Sequence, residues 1–187
     1  MTQYKAETLN PIKSPVTQIE LADWLRGDEG DPIYSGLLVS ATSIVINYLQ
    51  RELIARDWIL TYQDWPTGGT MVINSLSQNT ACYQSRIGLS YANLISVNAV
   101  IAYGEVLTTD DYTIINQLPA QLCFESFGGY YSGCSDPALQ VQYRAGFGEA
   151  GSDVPEPIKQ GLLMVAGYLY LNRGCSSQDA LNNSGAG

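Results

Sequence analysis

The sequence predicts an α+β fold: an N-terminal helical pair and a long C-terminal helix packed together, with an inserted antiparallel β region. Two observations carry this. The apolar period shifts from about 3.6 residues to 2 near Asp57 and returns to helical spacing after Gly151. Helix-start signals lie on either side of that interval, at Thr17–Glu20, Asp31-Pro32 and Val154-Pro155-Glu156-Pro157. The implied plan is an extended arm over 1–15, one α+β domain over 16–173 with its β region at about 57–145, and a tail over 174–187.

The arm has no apolar periodicity and contains Pro11 and Pro15. Thr17 and Glu20 have capping-box spacing, with Val16 just outside. They open a short helix ending near Arg26 that carries Ile19, Leu21, Trp24 and Leu25. Asp31 and Pro32 suit the cap and first turn of a second helix, expected over 32–55. Its apolar stripe is Ile33, Leu37, Ala41, Ile44 and Tyr48, widened by Leu38, Val45 and Leu49. Pro32 to Gln50 carries no charge, yet Thr42, Asn47 and other polar residues gather on one side. An amphipathic helix packed on protein is therefore expected, rather than a membrane span.

Trp58, Leu60 and Tyr62 open the β region by alternation. Weaker strands are expected at Met71–Ile73 and Arg86–Leu89, and a stronger one at Leu94–Tyr103 that turns at Gly104-Glu105. Tyr112–Ile115 and Gln121–Phe124 read as a hairpin. Loops 67–80 and 125–137 are polar or Gly-rich; the second contains Tyr130 and Tyr131. Leu139, Val141 and Tyr143 form a last strand before Gly146, Gly148 and Gly151. The helix over 155–173 is apolar nearly all round, with Ile158, Leu162, Val165, Ala166 and Leu169 on one stripe and Leu163, Met164, Gly167, Tyr168 and Leu171 on another. Such a helix needs cover on every side. Sharing between this domain and a neighbouring subunit is expected. The candidate subunit-interface residues are Leu163, Met164, Tyr168, Leu169, Leu171, Thr42, Asn47, Tyr130 and Tyr131.

Composition narrows function. Charged residues are 14% of the chain, well under the usual ~25%, and Tyr, Ser, Asn and Gln take their place. That surface suits extensive protein contact. The net charge is −9, and no two basic residues are adjacent, which argues against a grip on nucleic acid. There is no histidine, and Cys82, Cys123, Cys134 and Cys175 form no C-x-x-C pair, so zinc is not expected. The cysteines read as free thiols in a reducing cytosol. The acidic Asp28-Glu29-Asp31 segment has too few ligands for calcium and reads as a helix lead-in. Adjacent acids at Asp110 and Asp111 sit in a turn and make no catalytic pair. The segment GFGEAG, Gly146 to Gly151, matches G-x-G-x-x-G but lacks a surrounding βαβ unit; a backbone turn is expected there, not a nucleotide site. No catalytic set can be assembled, and no cofactor is expected.

The strand with its AGFG turn, the VPEPIKQGLL helix start and the YLYLNR end resemble the closing segment of the head–tail connector (head-completion adaptor) proteins of tailed bacteriophages. VTQIELADWLRGDEGDPIYSGLLVSATSIVINYLQREL resembles that family's opening helices, ARDWILTYQDWP its first strand, and ISVNAVIAYGEVLTTDDYTI its central hairpin. The resemblance spans roughly residues 16–173. It implies a structural virion protein of the neck, made in the host cytoplasm. Its subunits would form a homo-oligomeric, dodecameric ring between the portal protein and a tail-side or second neck protein. DNA would pass through without specific binding, and neither enzymatic activity nor membrane contact is implied. The arm, both loops and the tail would be ordered by those partners. The competing readings are a carbohydrate- or surface-binding module stacking sugars on Trp65, Tyr130 and Tyr131, and a carboxylate-based hydrolase.

Overall fold

The computed structural model describes residues 4–65, 71–72, 82–91, 93–117, 119–125 and 137–173. Most of loops 67–80 and 125–137 and the tail 174–187 lie outside the described residues. Among the described residues the chain has both helices and antiparallel sheets, and its contacts separate into two compact units. One unit comprises Met1–Pro11 with Gln50–Glu149, the other Ile12–Leu49 with Ala150–Gly187.

The first unit holds strands β1 (Tyr4–Thr8), β2 (Arg56–Tyr62), β3 (Met71–Val72), β4 (Cys82–Gly88), β5 (Leu94–Ala102), β6 (Glu105–Val106), β7 (Tyr112–Ile115), β8 (Gln121–Glu125) and β9 (Leu139–Ala145). They form a five-stranded sheet ordered β1-β2-β9-β5-β6 and a four-stranded sheet ordered β3-β4-β8-β7, with antiparallel pairing throughout. β9 lies centrally because every second residue from Leu139 to Ala145 is apolar and buried. Both sheets contribute to one core, which includes Leu60, Val100 and Val141 from the larger and Ile87, Leu122 and Phe124 from the smaller. The β5–β6 turn sits at Tyr103-Gly104, where both residues have positive φ. That primed-turn geometry matches strand twist.

Part of the expected arm is a strand. Tyr4–Thr8 pairs along β2 from Tyr4↔Tyr62 to Thr8↔Trp58. Its Lys5–Glu7 ion pair is exposed, as suits an edge strand.

The second unit contains α1 (Gln18–Leu25), α2 (Ile33–Leu49) and α3 (Glu156–Leu171). The expected capping box opens α1: Glu20 N–H donates to Thr17 Oγ1 at 3.2 Å, and Thr17 N–H donates to Glu20 Oε2 at 2.7 Å. The backbone bond from Thr17, and then that of its hydroxyl to the same oxygen at 2.8 Å, hold the Glu20 carboxyl below the ordinary glutamate range. A depressed pKa adds stability above the unfolded-state value, and that stability is lost as pH falls through the folded value. Thr17→Ala is therefore expected to cost about 1 kcal/mol at neutral pH. Part of that loss should disappear in acid, as read by urea unfolding at both pH values. A pH-independent deficit would place the effect elsewhere.

α2 ends at Leu49, short of the expected 55. Gln50 takes a left-handed φ of 53°, and Leu53, Ile54 and Ala55 are buried in the first unit. α1 approaches α3 at Gly167, where an added Cβ would meet Trp24 Nε1 at 3.5 Å and Leu25 Cδ2 at 3.6 Å. Tyr34 of α2 lies against Tyr170 of α3, with ring centroids 5.8 Å apart.

Candidate interaction surface

The buried face of α2 is not its expected stripe. Tyr34, Leu38, Ala41, Thr42 and Ile46 are buried, whereas Ile33, Ile44 and Tyr48 are exposed, Tyr48 by 85%. Thr42 tolerates burial because its hydroxyl donates to Leu38 O at 2.6 Å. At about 100° per residue, Ile33, Leu37, Ile44 and Tyr48 share one outward stripe.

α3 divides similarly. Leu162, Leu163, Ala166 and Gly167 are buried. Met164, Tyr168 and Leu171 are 65%, 67% and 77% exposed and lie on the opposite side. Large apolar side chains are thus bare along both helices, more than the scattered singletons of an ordinary surface.

Of the candidate interface residues, Met164, Tyr168 and Leu171 share this exposed face, Asn47 is exposed on α2, and Leu169 is half-buried. Leu163 and Thr42 face the interior of their own unit. Tyr130 and Tyr131 lie outside the described residues. Trp65 is half-buried, stacked on Tyr103 at 5.9 Å and edge-on to Phe124 at 5.3 Å.

The Gly-rich segment is a backbone junction. Gly146 N–H donates to Asn93 O, Phe147 N–H donates to Leu53 O, and Gly148 O accepts from Ala55 N–H. Two of the amides a phosphate would need are already committed. Among the described residues no three His, Cys, Asp or Glu side chains group to hold a metal, and no helix is long and apolar enough to cross a membrane. Cys123 is a buried free thiol.

A polar cluster at β2 is absent from the sequence-based reading. Arg56 donates from Nη1 to Glu52 Oε1 at 2.8 Å, and from Nη2 to Thr8 Oγ1 at 2.8 Å and Asn10 O at 2.7 Å. Glu52 is fully buried; burial pushes its carboxyl up, against the pull of Arg56. The Trp58 indole lies near enough to favour the carboxylate, yet Trp58 Nε1 and Glu52 Oε2 both lack a hydrogen bond. Next to this cluster Asn10 Nδ2 donates to Asp57 Oδ2, and Arg144 bridges Asp57 to Glu149. These cations are engaged with acids and are poorly placed to grip phosphate.

No family model matches the chain, and no curated protein matches it. Solved structures do. A chain of the virion of a native gene transfer agent particle superposes with a TM-score of 0.64 at 15% identity, covering 95% of this chain and 93% of that one. The fold is the same. A chain from the neck of the empty particle, computed with C6 symmetry, gives 0.64 at 17% identity, covering 92% and 87%. One from the neck of the native particle, computed with C12 symmetry, gives 0.60 at 17%, covering 91% and 86%.

Proposed function

We propose that the protein is a structural component of the virion neck, a head–tail adaptor that forms a ring between the portal and the tail and lets DNA pass. The observation that carries this reading is the shared fold over nearly the whole chain with components of a phage-like particle neck. The symmetry of those necks favours a ring. The bare apolar faces of α2 and α3 favour the same conclusion, since a ring supplies each subunit with two neighbours to cover them. Function then lies in assembly, with no enzymatic step and no cofactor. A net charge of −9 suits a channel that does not retain DNA. The sugar-binding alternative loses support where Trp65 packs against the β core.

Light scattering on the purified protein, alone and with its portal, is expected to show a ring-sized oligomer or a portal-bound one. Particles made without the protein should lack tails and hold DNA poorly. Normal tailed, infectious particles in its absence would overturn the adaptor role.

A further inference from the structure

Resting on the ring reading, we propose that the outer stripe of α2 in one copy packs on the outer stripe of α3 in the next, so that every junction joins two unlike helices. The spacing is the first argument. On α2 the outward positions are Ile33, Leu37, Ser40 and Ile44, separated by four, three and four residues, with Asn47 and Tyr48 both exposed in the last turn. On α3 Pro157, Gly161, Met164 and Tyr168 repeat the same intervals, and Leu171 follows three residues on. That is a period of about 3.5, which keeps one helix's side chains seated in another's grooves along their length. The inward faces of the two helices are already used within the second unit, so these stripes are independent of its core.

Charge is the second argument. Two copies of a chain with net charge −9 repel one another over most approaches. α2 carries no charge from Pro32 to Gln50, and α3 none from Gln160 to Asn172. Contact through these two stripes brings no like charges together, whereas the edge strands β1 and β6 present Lys5, Glu7 and Glu105.

Shape and symmetry supply the third. An added Cβ at Gly161 would meet nothing within 4 Å, so the surface of α3 is open between Pro157 and Met164. α2 supplies large projecting side chains, Ile44 and Tyr48, that can approach such an open stretch of helix. Pairing like with like would close a two-fold dimer; only unlike faces propagate around a ring.

The test uses Ile44→Glu and Met164→Glu in the full-length chain. Both sites are exposed, so circular dichroism and thermal melting should be unchanged. Each variant alone should sediment as a monomer under conditions where the unaltered chain assembles. Their equimolar mixture should form a dimer and stop there, because one intact junction remains. A photoreactive phenylalanine analogue in place of Met164 gives a second reading: cross-linked peptides should come from residues 33–48 of another copy. If either variant still assembles to full size, or dimerises alone, the unlike pairing is wrong while the ring stands. Cross-links to α3 of another copy would also overturn the pairing. An unaltered chain that stays monomeric and uncross-linked, even with its portal, would sink the ring reading and this inference together.

Discussion

Arg56→Met is expected to destabilise the first unit by about 3–5 kcal/mol, because it strands a fully buried carboxylate without its counter-ion. The deficit should depend on pH. Glu52 already has a raised pKa, and loss of the Arg56 charge raises it further. A raised folded-state pKa adds stability below the unfolded value, and that stability is lost as pH rises through the folded one. The variant should therefore be closest to the parent in acid and furthest from it at neutral pH. Pairing Glu52→Met with Arg56→Met should recover most of the global loss, since well-packed apolar replacements of buried ion pairs are often neutral or better.

A second readout distinguishes the roles of this arginine. Its bonds to Thr8 Oγ1 and Asn10 O fasten the N-terminal segment to β2. In the double variant the amides of Tyr4–Thr8 that pair with β2 should still exchange faster than in the parent, although the sheet core is restored. Parental exchange there would show that strand pairing alone holds the segment.

Gly146→Val is expected to have an effect of similar size. An added Cβ would lie 2.6 Å from Ala55 N and 2.8 Å from Ile54 C, both backbone atoms that no rotamer change can move. The φ of +149° costs any L side chain about 1–3 kcal/mol besides. Urea unfolding should show a lower midpoint with an unchanged slope. Exchange should accelerate at Ala55 N–H, which donates to Gly148 O at 2.7 Å. A midpoint within a few tenths of molar of the parent would mean that the junction yields easily.

What the sequence disclosed depends on the kind of signal. The change of period placed α1, α2 and α3 on either side of the strands, and alternation placed β2, β5, β9 and the β7–β8 hairpin, because buried strands declare themselves by every second residue. The end of α2 was concealed ahead of Glu52 and Arg56. No Gly or Pro follows Leu49 to stop the helix, and the i,i+4 spacing of the pair is compatible with a continued one; the fold uses the pair off the helix, buried in the first unit. β1 was overlooked because its alternation, Tyr4, Ala6 and Thr8 against Lys5 and Glu7, rests on one aromatic, one small and one polar side chain in five residues. The phase of α2 failed for another reason. A helix with no charge and apolar residues on several sides gives hydrophobicity nothing to point with, and Thr42 hides its polarity in a bond to Leu38. The exposed face of α3 was partly legible, since Met164, Tyr168 and Leu171 belong to one stripe read from spacing, whereas Leu163 is separated from them only by knowing which way α3 faces.

The helical unit is assembled from two stretches of chain, with residues 50–149 translated between them. During synthesis the inner face of α2 therefore waits for α3. At about 5–20 residues per second that wait lasts roughly 5–20 s. The β unit has all its strands synthesised before α3 is complete, and the helical unit closes last. A nascent chain thus displays α2 but has no finished α3 to offer. Under the proposed unlike pairing, a subunit cut short before Met164 would keep the stripe of α2 without that of α3, and would be expected to terminate a growing assembly rather than extend it.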